Sequence, residues 1–174
     1  MITAPTITTD RLVLRHHVMA DFEPLYALLE SDRAQFLGEP YTRKQSWQWI
    51  ASEVGSWSIK GFGSWGVELR ETEDFVGQIG INQPHNFPEL EIGWIFLAQA
   101  EGNGYASQDA TAILDWARRT LKLAILVSYI DQQNLRSIAL AKRLGAVLDT
   151  VAARPDGSTD EDTVVYRHAM KVIR

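Results

Sequence analysis

The sequence predicts a mixed α/β domain: a central, mostly antiparallel sheet of about seven strands flanked by about four helices. Three observations predict it. Short runs that alternate apolar and polar residues, such as "RLVLRHH", "GSWGVELR", "DFVGQIGIN" and "LEIGWIFLAQ", are set apart by polar turns, the pattern of antiparallel strands with one buried face. After Gly104 the apolar period changes to 3.6, and a continuous branched run, "LAILVSYI", separates two such stretches, which is how a helix crosses over onto a parallel strand. Finally, 174 residues with 45% hydrophobic and 22% charged content suit one domain, residues 1–174, with a full core.

Taken in order, "RLVLRHH" is a strand, followed by a helix opening near Asp21 that turns Phe22, Leu25, Leu28 and Leu29 inward. Thr42 with Gln45 three residues later is a capping box, and it opens a helix whose Trp49, Ile50 and Val54 recur at helical spacing. "GSWGVELR" and "DFVGQIGIN" form a hairpin across "ETED", and "LEIGWIFLAQ" is the next strand. From Gly104, Ala106, Ala110, Ile113, Leu114, Ala117 and Leu121 fall on one side of a helix of about sixteen residues. "LAILVSYI" then reads as a buried strand. The helix of "NLRSIALAKRLG" places Leu135, Ile138 and Leu144 inward and stops at Gly145. The runs "AVLDTVAA" and "DTVVYRHAMKV" close the sheet on either side of "RPDGSTDED".

Composition excludes several classes of function. A formal net charge of −5 with scattered lysines and arginines gives no footprint for nucleic acid. The absence of cysteine removes disulfides, thiolate metal sites and cysteine nucleophiles, and points to a reducing compartment. "MITAPTITTDRLVLRHH" holds no apolar run of the length that a signal peptide or membrane span needs, so a cytoplasmic protein without membrane contact is expected. His16, His17, His85 and His168 are too far apart, or on opposite faces of one strand, for a metal cluster, and no metal is expected.

One stretch carries a chemical signal. In "QAEGNGYASQDA" Gly102 and Gly104 sit at the mouth of the helix that begins near Tyr105, where unpaired amides and the helix dipole attract an anion and glycine lets a phosphate approach the main chain. A tight strand-to-helix turn uses the same residues. A triphosphate loop would end in Lys-Ser or Lys-Thr, and a dinucleotide fingerprint would need glycine at 107, where Ser107 stands.

"LEIGWIFLAQAEGNGYASQDATAILDWA" followed by "NLRSIALAKRLGAV" resembles the coenzyme A motifs of the GNAT superfamily of N-acetyltransferases, and most of all the subgroup of RimJ/RimL-type ribosomal-protein N-terminal acetyltransferases. "TDRLVLRHH" and the hairpin strands "FGSWGVEL" and "FVGQIGI" stand in the order that subgroup uses. The resemblance implies a GNAT-type fold and direct transfer of an acetyl group from acetyl-CoA to a primary amine, on a peptide N-terminus or a small molecule, by a monomer or homodimer. It places the pyrophosphate on Gly102, Asn103, Gly104, Tyr105, Ala106 and Ser107. Two frames fit: one starts at Gln99 and uses Gly102 and Gly104; the other puts Glu101 in the first position with Gly104 and Ala106. The amides of Ile95, Phe96 and Leu97 match those that pair with pantetheine on a splayed strand, and Asn134 matches the pantetheine-binding asparagine while also suiting a helix N-cap. Arg136 and Arg143 fit either the 3′-phosphate or a solvated helix face.

The amine must lose a proton before it attacks, and Glu91, on the strand that feeds the loop, is the expected base, with Glu89 on the same face by strand parity. The leaving thiolate needs a donor. Where many relatives have tyrosine this chain has Ala141, and Ser137, one turn after Asn134, takes that part in the resembled subgroup. Trp47, Trp49, Trp57, Trp65 and Trp94 fall in segments that flank the family's acceptor groove, and Glu39, Glu68 and Glu89 are candidates to attract a cationic amine.

Overall fold

The computed structural model describes residues 3–38 and 40–169. Glu39 and residues 170–172 of the closing strand run lie outside the described residues. Eight strands form one sheet: β1 (Ile7–Thr8), β2 (Leu12–Arg15), β3 (Ser64–Leu69), β4 (Phe75–Asn82), β5 (Glu91–Phe96), β6 (Ile125–Asp131), β7 (Val147–Leu148) and β8 (Thr163–Ala169). Their order is β1-β2-β3-β4-β5-β6-β8-β7, and every neighbouring pair is antiparallel except β5 with β6. The additional strand is β1, two residues after Pro5 and too short to show an alternation. The expected strand in "AVLDTVAA" shrinks to Val147–Leu148, paired with β8.

Among the described residues four α-helices cover the sheet: α1 (Phe22–Leu29), α2 (Arg43–Lys60), α3 (Tyr105–Trp116) and α4 (Leu135–Arg143). A 3₁₀ turn at Asp32–Leu37 separates α1 from α2. The Thr42–Gln45 capping box opens α2 as expected, and Phe22, Leu25, Leu28 and Leu29 of α1 are buried. The helix after Gly104 extends about as far as expected, α-helical for 12 residues and then widened into a π turn at Ala117–Leu121. One expectation needs correction. Leu135 is 71% exposed, because it opens α4 at the rim; Leu140 and Ala141 are the buried residues of that helix, and Ile138 packs beside Ala141.

Alternation along β3, β4 and β5 sorts side chains onto two faces. Trp65, Ile79, Ile81 and Ile92 join Ala110 and Ile113 of α3 in the main core, where Trp57, Trp65 and Trp116 meet edge to face with ring centroids 4.6, 5.8 and 5.1 Å apart. Edge-to-face pairs of this kind add roughly 0.5–1.5 kcal/mol each beyond the area they bury. The opposite parity carries Ser64, Gln78, Asn82, Glu91 and Ile95, joined by the cross-strand pairs Ser64↔Gly80, Gln78↔Ile95 and Asn82↔Glu91. Ser64, Gln78, Asn82 and Glu91 are therefore collected on one face.

The parallel pair is brief. Its register is Glu91↔Val127, with the Val127 amide donating to the Leu90 carbonyl at 3.0 Å. The next link is a side chain: Ser128 Oγ donates to the Ile92 carbonyl at 2.8 Å and lies 3.0 Å from His168 Nε2. Since that hydroxyl gives its proton to Ile92, His168 is the Nε2–H tautomer, and burial pushes its pKa down to about 4, keeping the ring neutral. Beyond Ile92 the two strands part, and the gap between them is the floor of the site.

Candidate active site

A cleft of about 910 Å³ opens where β5 and β6 part, walled by the N-terminal turn of α3 and by α4. Its mouth is the turn before α3. Gly102 and Gly104 have φ of 78° and 75°, a left-handed conformation that costs a residue with a side chain about 1–2 kcal/mol. Gly104 is the N-cap, so the first amides of α3 are turned into the cleft. Arg11 holds the turn from outside: its Nη1 donates to the Asn103 carbonyl and its Nε to Gln108 Oε1, both at 2.9 Å, and its guanidinium lies 4.8 Å from the centre of the Tyr105 ring.

Glu101, Gly102, Gly104, Tyr105, Ala106 and Ser107 line this cleft, whereas Gln99 and Asn103 do not. Asn103 instead ties the turn together, its Nδ2 donating to the Ala100 and Glu101 carbonyls at 3.3 and 3.2 Å. The Asn103 side chain is thus a brace of the turn. The frame starting at Gln99 puts its first residue outside the cleft, and the frame starting at Glu101 keeps all three of its positions inside. Glu101 pairs with Arg33 and with Arg136, so two arginines from opposite walls converge on one carboxylate at the mouth; Arg143 also lines this cleft.

Strand parity also revises the three expected pantetheine donors. Leu97 donates its amide to the Val76 carbonyl at 2.9 Å, and the antiparallel alternation assigns the Ile95 amide to β4 as well. Phe96 has the other parity: its carbonyl accepts from Arg33 Nη2 at 3.3 Å, on the open side. Phe96 and Trp94 thus present main chain to the cleft, while Ile95 lines it with its side chain and Leu97 does not reach it.

A second hollow, of about 500 Å³, lies on the polar face of the sheet and shares Phe36, Trp94, Ile95, Asn134 and Ser137 with the first. At the seam, Asn134 caps α4, its Oδ1 accepting from the Ser137 amide at 3.1 Å, and Ser137 Oγ accepts from Trp94 Nε1 at 3.2 Å. The indole leaves the serine proton free to point away. Glu91 and Glu53 face this hollow. Glu53 is 7% exposed and accepts from Ser64 Oγ, which in turn accepts from Asn82 Nδ2 at 3.2 Å. Gly80 makes that arrangement possible, since a Cβ there would stand 2.1 Å from Ser64 Oγ.

Desolvation raises the Glu91 pKa to about 8, with the charge of Glu53 adding to the rise and the Tyr129 amide opposing it. Burial likewise raises Glu53 to about 7, against hydrogen bonds from Ser64 and Asn82. Glu89 is different: Arg167 grips both its oxygens at 2.7 and 2.9 Å and lowers its pKa, so it is unsuited to take a proton. Glu68 is likewise held by Arg15. Of the expected tryptophans only Trp49 and Trp94 line the second hollow; Trp57 and Trp65 are core, and Trp47 is 48% exposed against Phe22.

Glu53 was not among the expected site residues, although a signal for it exists: it stands three residues after Ile50 and four before Trp57, on the buried stripe of α2. An acidic residue on an apolar stripe marks a built polar site. Gln78, Tyr129 and Arg33 carry no comparable sequence signal.

A split sheet with a glycine-turn helix mouth on one side and a carboxyl-lined hollow on the other defines a two-substrate transferase fold with an anion-binding arm. The chain belongs to the acetyltransferase (GNAT) domain family, whose pattern matches residues 11–147. It is 30% identical over 143 residues to the uncharacterized protein YkkB of Bacillus subtilis (strain 168), covering 80% of this chain and 83% of that one. A crystal structure of the acetyltransferase from Agrobacterium tumefaciens str. C58 superposes with a TM-score of 0.89 at 40% identity, over 97% of this chain and 96% of that one. RimL, the ribosomal L7/L12 alpha-N-protein acetyltransferase solved in complex with coenzyme A, shares the fold at 18% identity, with a TM-score of 0.75 over 95% of this chain and 98% of that one. Among the described residues there is no group of three or more His, Asp or Glu side chains arranged to hold a metal ion.

Proposed function

We propose that this protein is a single-domain, cytoplasmic N-acetyltransferase of the RimJ/RimL-like branch that moves the acetyl group of acetyl-CoA to a primary amine by direct transfer in a ternary complex. The observation that carries this reading is the meeting of the two hollows at Trp94, Asn134 and Ser137, with a partly buried carboxyl group of raised pKa on the acceptor side.

The pyrophosphate rests on the amides of residues 102 and 104–107, and Arg33, Arg136 and Arg143 stand at or along the same cleft for the remaining phosphate charge. The pantetheine arm runs down the gap and adds to the open side of β5 at Trp94 and Phe96, which brings the thioester to the seam. There the ammonium of the acceptor gives its proton to Glu91, directly or through water. The freed lone pair attacks the thioester carbon, the C–N bond forms and the C–S bond breaks. Main-chain donors at the gap steady the oxyanion that develops on the carbonyl oxygen. The electron pair leaves on sulfur, and the second proton, released from the nitrogen once the C–N bond has formed, passes to the thiolate through the hydroxyl of Ser137, whose oxygen already accepts from Trp94. A base of pKa about 8 is matched to an amine whose own pKa is about 8 to 10.

The test is release of free thiol from acetyl-CoA against a panel of peptide N-termini and small amines, beside thermal shift with coenzyme A, ATP and NAD. Amine-dependent thiol release with protection by coenzyme A supports the reading. Tight coenzyme binding with no turnover on any amine would reduce the protein to an acyl-CoA-binding domain.

A further inference from the structure

The charge in the second hollow is one-sided. Glu53, Glu91, Asp131, Asp156 and Asp162 line it, and among the described lining residues there is no lysine, arginine or histidine. Among the described residues none of the five takes part in an ion pair, whereas Asp21, Glu68, Glu89 and Asp149, elsewhere on the molecule, each hold an arginine. Glu53 and Glu91 lie deep, where a carboxyl group without a partner cation is costly, and Asp131, Asp156 and Asp162 stand nearer solvent, so the hollow offers a graded negative wall that a cation from outside completes. A second feature points the same way. Gln78 is 3% exposed and lines the hollow, and its Oε1 has no hydrogen-bond partner among the described residues. An unpartnered acceptor oxygen among carboxyl groups suits a ligand that only donates, and an ammonium group has three donors and no acceptor. Tyr41, Trp49 and Phe87 supply aromatic wall in the same hollow, suited to methylene groups and to the face of a cation.

On the transferase reading above, we propose that the acceptor is a small linear amine with at least two ammonium groups, a diamine or polyamine. One nitrogen is seated at Glu91 for acetylation. The methylene spacer lies along the aromatic wall, and the second ammonium faces Asp131, Asp156 and Asp162 toward the rim. The chemistry is unchanged: one nitrogen loses its proton and takes the acetyl group, and the other stays charged and serves only for binding.

The experiment compares acceptors of equal length on the intact protein: 1,4-diaminobutane, butylamine and 4-aminobutanoate, with a lysine-rich peptide as a fourth. The expected kcat/KM for the diamine exceeds that for butylamine by about tenfold or more and that for 4-aminobutanoate by about a hundredfold, since charge complementarity governs both encounter and discrimination. The preference narrows as salt rises. Asp156→Asn, at an exposed position, raises the diamine KM more than the butylamine KM. Equal use of butylamine and the diamine, or a lysine-rich peptide outrunning the diamine, overturns the proposal while leaving the transferase intact. Calorimetric binding of the diamine to the coenzyme A complex without any thiol release from acetyl-CoA upholds the groove assignment and removes the transferase reading instead.

Discussion

The coenzyme cleft is made of main chain and arginine; the acceptor groove that meets it is made of carboxyl groups and rings. In the first, the left-handed glycines 102 and 104, the opening turn of α3 and the open side of β5 present amides, and Arg33 and Arg136 converge on Glu101. In the second, Glu53 and Glu91 are held in a poorly solvated pocket with raised pKa values and no basic neighbour in the lining. A backbone site tolerates many side chains as long as the turn survives. A side-chain site stands or falls with single residues, and it stores a stability cost that the backbone site does not.

The sharpest way to break this contrast is Glu91→Gln. Loss of a general base lowers turnover by about 10²–10³-fold, and coenzyme affinity, which rests on the other cleft, stays within about twofold. The same substitution should stabilise the fold. A carboxyl group at pKa about 8, against 4.5 when unfolded, disfavours the folded state increasingly as pH rises from 4.5 to 8. At pH 8 the unfolding midpoint of the variant therefore rises by about 2–4 °C for each kcal/mol relieved, and at pH 4 the two proteins unfold together. In the parent protein kcat/KM climbs with pH through about 8, and that limb flattens in the variant. A variant that loses activity and stability together would mark Glu91 as structural.

Gly104→Ala probes the opposite region. Forcing an alanine into φ of 75° costs about 1–2 kcal/mol at the turn, so the KM for acetyl-CoA rises about tenfold while the KM for the amine is little changed. A rise in the amine KM of the same size would show that the two hollows are not separable. Ser137→Ala, at the seam, lowers kcat by a smaller factor, about tenfold, with both KM values preserved, because a thiolate in a wet cleft can also be met by water. Unaltered kcat would confine Ser137 to its bond with Trp94.

The smallest expected effect has the opposite sign. Glu101→Gln removes a carboxylate from among the phosphate-binding elements and releases Arg33 and Arg136, so coenzyme binding tightens by about two- to fivefold at low salt and the gain fades at high salt. Weaker binding would mean that Glu101 is needed to hold the two arginines in place.

These two regions also differ in how far they could be read from the chain. Gly102 and Gly104 carry their meaning locally, because a positive φ at a helix mouth is a property of a few consecutive residues. Asn134 and Ser137 lie one helical turn apart and are equally local. Leu97 is next to the site in sequence yet gives its amide to Val76, a distinction set by strand parity against β4. Glu53 reaches the groove only because α2 packs over β3 and Gly80 lets Ser64 come close, contacts that span 11 and 16 positions along the chain. Glu89 and Glu91 look alike in sequence and are separated by Arg167, 78 positions away from Glu89, which holds the first and leaves the second bare. Leu135 looked like a core residue by period and is exposed because it opens its helix.

By itself the sequence determined the class of fold, the order of its main strands and helices, the helix-mouth turn and the family, since each of these rests on spacing within a short window and on backbone preferences. Only the tertiary structure decided where β5 and β6 part, which amides of β5 face the gap, which carboxyl groups are stripped of water and which are neutralised by arginine. Those are questions of solvent access and of charges far apart in the chain, and a residue's ionisation and its partners are properties of the space around it.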